Sequence, residues 1–305
     1  MRSGFVALVG RPNVGKSTLM NNLIGSKIAI TSSKPQTTRK RIHTIYTDDR
    51  GQIVFCDTPG MIGAKNKLGT YMLDVAKKTL DSCDVILWVV EASTYIGAAD
   101  KNIAAMLATS TKPIIIAINK VDTLGDKNQI VDIIASFKGL LTEANIVGSI
   151  EALPVSAKTR KNLDELLECI YDRLEEGPMY FDEDSITDEP LRDIASEIIR
   201  EKALRYLGQE VPHGVAVTIN SMKERNDGSF LVDADLICER ESHKAIIIGK
   251  SGSMLKKIGT NARLDIEKVA EAHVDLRLFV KVRKNWRDDI SMMKRFGYDI
   301  KSMER

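Results

Sequence analysis

The run Gly10-Arg11-Pro12-Asn13-Val14-Gly15-Lys16-Ser17 constrains this chain more than any other feature. It fits G-x-x-x-x-G-K-[ST], follows an apolar stretch at residues 5–9 and precedes a helical pattern over 17–24. That strand–loop–helix setting is the one in which the pattern binds phosphate. Its glycines allow successive backbone N–H groups to converge on phosphate oxygens, and the N-terminus of the next helix adds a favourable dipole. Lys16 is placed to reach the β- and γ-phosphates, and Ser17, beside Thr18, to put its hydroxyl on Mg²⁺.

Three further segments extend the reading. Asn119-Lys120-Val121-Asp122 follows an apolar run. The carboxylate of Asp122 can accept from N1–H and the 2-amino group of guanine, whereas adenine offers neither donor, so a site built on this acid selects guanine. Asn119 is expected to tie this loop to the phosphate loop, and the stem of Lys120 to cover the base. Asp57-Thr58-Pro59-Gly60 closes a short apolar strand. Asp57 there can hold Mg²⁺ through water, and Gly60 lets its N–H approach a γ-phosphate closely. Ser156-Ala157-Lys158 follows another strand-like run and is expected to offer backbone N–H groups to the guanine oxygen.

The chain has 305 residues, 43% hydrophobic and 28% charged, the profile of a soluble protein of two domains. Its longest apolar runs, at 85–90 and 114–118, are far too short to span a membrane. No secretory leader is expected, because the first apolar run ends in the phosphate loop. Four cysteines without paired spacing indicate neither zinc nor a disulfide framework, and a cytoplasmic location is expected. The four histidines lack ligand spacing, so no metal beyond Mg²⁺ is expected.

Residues 1–174 alternate strand and helix. Strands are expected at 5–9, 41–47, 52–56, 85–90, 113–119 and 152–155, and helices near 16–23, 71–80, 101–108, 128–141 and 163–174. Apolar strands flanked by amphipathic helices give an α/β fold, a mostly parallel sheet with helices on both faces. The turn at 48–51 joins one antiparallel edge pair. Ligands of such folds sit at the carboxyl ends of the strands, where every motif above falls. Residues 175–190 have two prolines, five acids between 182 and 189 and no base, which suits a solvated acidic linker.

Residues 191–305 form a smaller α+β domain. A helix at 191–207 precedes strands at 215–223 and 229–238, hinged at Asn226-Asp227-Gly228. A short helix at 242–248 with Ser242 as N-cap, a G-x-x-G turn, a helix at 253–272 and a strand at 275–284 complete it. This half holds 22 basic and 18 acidic residues, and residues 242–264 contain five bases and no acid. The order is that of a type II KH domain, whose G-x-x-G loop clamps the backbone of single-stranded RNA. Ile248, Gly249, Lys250, Ser251, Gly252, Lys256, Lys257 and Arg263 are the expected RNA-binding residues.

Taken with Gln36-Thr37-Thr38-Arg39, Glu197-Ile198-Ile199-Arg200-Glu201-Lys202, Val211-Pro212-His213 and residues 280–286, these motifs make the whole chain resemble the Era family of bacterial GTPases. The resemblance implies a GTP-hydrolysing switch that binds the 3′ end of 16S ribosomal RNA, assists assembly of the 30S particle, and has no DNA partner. A monomer is expected, with membrane association at most a minor peripheral pool resting on the basic face. The resemblance places Thr38, with Thr37 as the alternative, in the Mg²⁺ shell beside Ser17 and Asp57, so that Lys16, Ser17, Thr38, Asp57 and Gly60 carry the chemistry. In Ras-like enzymes a glutamine after D-x-x-G orients the attacking water. Met61 stands there in this chain, as in the hydrophobic-residue class to which the family belongs, and slow turnover is expected, with K⁺ or the ribosomal particle as activator. The alternative is an RNA-binding scaffold with weak or vestigial hydrolysis.

Overall fold

The computed structural model describes residues 1–25, 29, 30, 34, 37–60, 64–144, 146–208 and 210–299. They divide into two compact units, one of residues Met1–Ala29, Thr38–Gly63 and Met72–Asp188, the other of Ile30–Thr37, Ala64–Tyr71 and Glu189–Arg305.

The first unit is a six-stranded sheet of β1 (Arg2–Val9), β2 (Ile42–Asp48), β3 (Gly51–Asp57), β4 (Val85–Glu91), β5 (Ile114–Asn119) and β6 (Ile150–Pro154). Their order is β2-β3-β1-β4-β5-β6, and β2 alone runs antiparallel to its neighbour β3. Helices α1 (Lys16–Ile24), α2 (Lys67–Ser82, of which the part from Met72 onward belongs to this unit), α3 (Ala98–Leu107), α4 (Gln129–Glu143) and α5 (Leu163–Tyr171) connect and cover the strands. Side chains alternate along each strand, so each face acquires its own core. Val6 and Leu8 pack with Leu19, Leu23, Leu166 and Ile170, while Ala7 and Val9 pack with Ala76, Ile103, Ile133 and Phe137. Every residue of β3 and β5 is buried, as central strands covered on both faces must be. Trp88 is fully buried on β4 and meets Phe137 edge to face at 5.5 Å.

The acidic stretch is not a free linker. Up to Asp188 it belongs to the first unit. The Ile186 carbonyl accepts from Ile45 N–H at 3.0 Å, Thr187 donates its hydroxyl to the His43 carbonyl at 2.7 Å, and Asp188 meets His43 Nδ1 at 2.7 Å. Gln52 receives the N–H groups of Tyr180 and Phe181. Composition signals solvation, but β2 leaves backbone groups that this stretch satisfies.

In the second unit, α6 (Leu191–Tyr206), α7 (Glu241–Ile248) and α8 (Ser253–Ala270) accompany a sheet of β7 (Ala216–Glu224), β8 (Phe230–Cys238) and β9 (Val274–Val282). The order is β7-β8-β9, with the first pair antiparallel and the second parallel. Ile198, Ile247, Ile258, Ala262, Ile266 and Val232 lie in one core. The hairpin turns at Gly228, whose φ of 78° favours glycine. Ser242 is not the N-cap of α7: the cap position falls on Arg240, without a side-chain bond, and Glu241 supplies negative charge to the first turn. A final helix, α9 (Ile290–Arg295), capped by the Asp289 carboxylate on Met292 N–H, escaped the sequence reading because it is only six residues long. Trp286 is fully buried, donates Nε1–H to the Gly214 carbonyl at 2.9 Å and stacks on Tyr298, so it is not available to a base.

Truncating Phe137 to alanine would leave Trp88 beside a cavity. The expected cost to the first unit is about 3–5 kcal/mol, measured as an earlier urea transition of Trp88 emission in a Trp286→Phe background.

Candidate functional site

The phosphate loop leaves β1 at Gly10 and enters α1 at Lys16. Gly10 (φ 153°) and Gly15 (φ 102°) hold backbone conformations that side chains rarely adopt. A Cβ on Gly10 would lie 2.3 Å from the Val89 carbonyl oxygen, and one on Gly15 2.3 Å from Nδ2 of Asn119. Asn13, at φ 67°, is exposed. No side chain caps α1, whose cap position is Gly15, so its first N–H groups suit an anion. Val14 is buried, and Arg11 reaches Glu91 Oε2 at 3.0 Å. Pro12 closes on Gly60, where an added Cβ would sit 3.0 Å from the proline ring.

Three segments meet at one carboxylate. Oδ2 of Asp57, at the end of β3, accepts from Ser17 Oγ at 3.0 Å and from Thr38 Oγ1 at 3.0 Å. The two hydroxyl oxygens lie 3.5 Å apart. Between the adjacent threonines, the structure therefore puts Thr38 beside Asp57, whereas the Thr37 hydroxyl donates to the Lys34 carbonyl at 2.7 Å. Asp57 Oδ1 is buried with no hydrogen-bond partner among the described residues. Lys16 is also buried, and Nζ donates to the Gly10 carbonyl at 3.0 Å. Burial pushes the Lys16 ammonium down from its usual pKa, opposed by Asp57. Burial likewise raises Asp57, opposed by Lys16 and by the Thr38 and Ser17 hydroxyls. A polyphosphate with a divalent cation supplies the opposing charge that each lacks. One carboxylate, its orphaned oxygen and two hydroxyls are the hard oxygen donors that Mg²⁺ takes alongside phosphates. Thr58 is turned inward, its hydroxyl on the Leu8 carbonyl at 2.6 Å, Pro59 is buried and Gly60 half-buried. Met61 and Gln36 lie outside the described residues.

The base-side loops are joined by Asn119. Its Nδ2 donates to the Val14 carbonyl at 2.8 Å, and its Oδ1 accepts from Ala157 N–H at 2.9 Å. Asp122 lies in a 3₁₀ turn that begins at Val121, and it accepts from Ser156 Oγ at 2.6 Å. Lys120, in the left-handed region at φ 68°, extends Nζ to Glu91 Oε1 at 3.0 Å. Of the three N–H groups expected to face guanine, that of Ser156 is bonded to the Lys161 carbonyl at 3.1 Å and that of Ala157 to Asn119, because the turn closes on itself. Lys158 is exposed. Glu91, which orients both Arg11 and Lys120, was missed in the sequence; its one signal is an acid at the carboxyl end of a strand.

The second site lies in the other unit. Gly249 (φ 71°), Ser251 (φ 50°) and Gly252 (φ 77°) turn the chain between α7 and α8. Ile248 ends α7, and Lys250 and Ser251 are exposed. Beside the turn, a groove of 360 Å³ runs between α8 and β9, lined by Gly252, Lys256, Gly259, Arg263, Leu276 and Leu278. It pairs cations with a small-residue and apolar floor, as a nucleic-acid backbone with splayed bases requires. Lys257 does not line it: its Nζ lies 4.4 Å from the Tyr206 ring centroid. Arg263 is steered by Glu267, at 3.1 Å.

Because Asn119 spans two loops, Asn119→Ala removes two neutral hydrogen bonds at once. GDP affinity is expected to fall at least tenfold, about 1 kcal/mol for each bond, in a fluorescent-nucleotide titration.

The chain's residues 5–120 match the family model described as 50S ribosome-binding GTPase, and residues 210–287 match the KH domain model. It is 49% identical over 303 residues to GTPase Era of Clostridioides difficile (strain 630), covering 98% of this chain and 99% of that protein. It is 48% identical over 300 residues to GTPase Era of Thermoanaerobacter sp. (strain X514), covering 98% and 97%. Among solved structures, a variant Era of Aquifex aeolicus bound to GDP and AlF4⁻ superposes with a TM-score of 0.92 at 40% identity, covering 98% of this chain and 100% of that one. An Era in complex with MgGDPNP and nucleotides 1506–1542 of 16S ribosomal RNA gives the same TM-score, identity and coverage. The nucleotide loops, the G-x-x-G groove and these full-length likenesses place the chain in the Era family of GTPases.

Proposed function

We propose that this protein is a slow GTP hydrolase whose nucleotide state governs its grip on the 3′ end of 16S ribosomal RNA, and that it assists assembly of the small ribosomal subunit. The observation that carries the reading is the convergence of Ser17, Thr38 and Lys16 on Asp57 in a chain that also holds a basic G-x-x-G groove. A relative of this length and fold holds MgGDPNP and that RNA together.

In this reading residues 10–18 and 57–61 receive the phosphates, with Lys16 and the N–H of Gly60 toward the γ-phosphate. Ser17, Thr38 and Asp57 hold Mg²⁺, which supplies charge neutralisation for the departing phosphoryl group. Asn119, Lys120, Val121 and Asp122 receive guanine. Ser156 orients Asp122, Ala157 anchors Asn119, and the N–H of Lys158 faces the guanine oxygen. Met61 cannot hydrogen-bond water effectively, so stabilisation is electrostatic, from Lys16 and backbone N–H groups, and turnover is slow without K⁺ or the ribosomal particle. Ile248, Gly249, Lys250, Ser251, Gly252, Lys256 and Arg263 clamp the RNA backbone, with Lys257 contributing charge from beside Tyr206. The protein acts as a cytoplasmic monomer; any membrane-bound pool is peripheral, since no helix among the described residues is long and apolar enough to cross a membrane.

Met61 also favours a second reading, an RNA-binding scaffold with vestigial hydrolysis. Single-turnover assays separate the two. A GTP turnover abolished in Lys16→Ala supports the hydrolase, and a rate unchanged in that variant sinks it. Replacing Asp122 by asparagine puts an amide donor opposite the guanine 2-amino group. GTP affinity should then fall by about 10²-fold or more while xanthosine triphosphate, which carries an oxygen there, binds better. For the second site, Gly252→Asp adds a like charge and a left-handed non-glycine residue to the clamp. Affinity for a 16S 3′-end oligonucleotide should drop at least tenfold and lose part of its salt dependence in a filter-binding series.

A further inference from the structure

Helix α6 carries three consecutive charged residues, Arg200, Glu201 and Lys202, all buried. Arg200 is 1% exposed. Buried ion pairs are weak stabilisers, and an apolar side chain of similar volume often serves stability as well. What such a group does gain is directional hydrogen bonding, and Arg200 uses its guanidinium in at least two directions. One edge faces the Glu197 carboxylate, with Nε 3.0 Å from Oε1 and 3.2 Å from Oε2. A terminal N–H donates to the backbone carbonyl of Thr37. A planar fork can serve both partners, whereas a lysine ammonium on a flexible stem holds neither direction.

A second bond within the same unit engages the same short segment. Lys34 Nζ donates to the carbonyl of Leu207, the C-cap of α6, and the Thr37 hydroxyl returns to the Lys34 carbonyl at 2.7 Å. Lys34 and Thr37 are thus held at two points along α6. The division between the two compact units falls at the very next peptide bond, between Thr37 and Thr38. Thr38 is the residue whose hydroxyl lies 3.0 Å from Asp57 Oδ2.

We propose that Arg200 is a positioning residue for Thr38: by fixing the Thr37 carbonyl, it sets the backbone from which the Thr38 hydroxyl reaches the Asp57 site, so that α6 tunes the preference for GTP over GDP. This rests on the GTP-switch reading above. A peptide plane is rigid, so anchoring the carbonyl of one residue fixes the N–H direction of the next. Thr38 reports a γ-phosphate and its cation, and GDP does not call on it, so loss of Arg200 acts on one nucleotide state and not on both. The inference assigns to α6, on the opposite side of the unit boundary in the chain, a part in nucleotide discrimination that neither G-domain motif nor G-x-x-G turn contains.

The test compares full-length wild type with Arg200→Met, which keeps volume, and Arg200→Lys, which keeps charge. Affinities for GDP and for a non-hydrolysable GTP analogue are measured with Mg²⁺, together with kcat and KM for GTP. Both variants should weaken the GTP analogue about tenfold relative to GDP, the worth of one buried hydrogen bond to a charged donor, and lower kcat, with GDP affinity and circular dichroism unchanged. Lys34→Met, which removes the second anchor, should shift the same ratio in the same direction and keeps the question decidable if Arg200→Met folds poorly. An unaltered GTP-to-GDP ratio in the variants overturns the inference, as does an equal loss for both nucleotides. Absence of GTP turnover and of any γ-phosphate preference in the wild type would instead remove the reading on which it stands, and the inference with it.

Discussion

One carboxylate oxygen organises the nucleotide site. Oδ2 of Asp57 receives hydroxyls from the phosphate loop and from the segment after residue 37, while Lys16 lies close enough to bias its charge. Lys16 and Ser17 come from the phosphate loop, but Thr38 and Asp57 lie far from that loop and from each other in sequence. They meet because β3 lies beside β1 in the sheet, with Leu8 opposite Asp57 in register, so both chains deliver their loops at the same level. A one-residue slip would turn Asp57 to the opposite face of the sheet. The buried ladder of β1 and β3 is therefore a condition for the chemistry as well as for the core.

Where residues had to meet a chemical demand on a short stretch of chain, the sequence was transparent. Gly10, Gly15, Lys16 and Ser17 could be placed on a strand–loop–helix junction, and Asn119 could be foreseen as a bridge to the phosphate loop, which its amide makes with Val14. Apolar or alternating runs located the nine strands among the described residues to within a few residues, because the period of two persists where one face of a strand is buried. Long-range partners were opaque. Glu91 reads as an ordinary strand-end acid until Arg11 and Lys120 are seen converging on it. Lys257 reads as one of five bases facing a polyanion until Tyr206 takes its ammonium. The Ala157 N–H was misjudged for the same reason, since the loop needed it for Asn119. Composition also misled at Ser242, where a common capping residue sits inside the first turn and not before it.

The two sites use glycine for different ends. At Gly10 and Gly15 a side chain would collide with Val89 and Asn119, so glycine there is a matter of space as well as of backbone angle. At Gly252 a Cβ would meet nothing within 4 Å, and the demand is the left-handed conformation alone. The first loop is braced from outside by neighbouring strands; the second is shaped by its own torsions and left open toward solvent. A braced cradle suits a compact polyphosphate of fixed geometry. An open turn suits a chain-like ligand that enters along a groove.

The acidic stretch that runs along β2 has a bearing on solution behaviour. β2 is a terminal strand of the six-stranded sheet, and a bare sheet margin is a template for pairing with another copy. Here Ile186 and Thr187 occupy backbone positions at Ile45 and His43, and the same stretch of chain carries the acids Asp182, Glu183, Asp184 and Asp188. A second molecule approaching that margin would meet occupied hydrogen-bonding groups and a repulsive field. The segment that leads the chain out of the first unit thus doubles as a guard against aggregation, built from residues whose composition alone would have marked them as mere spacer.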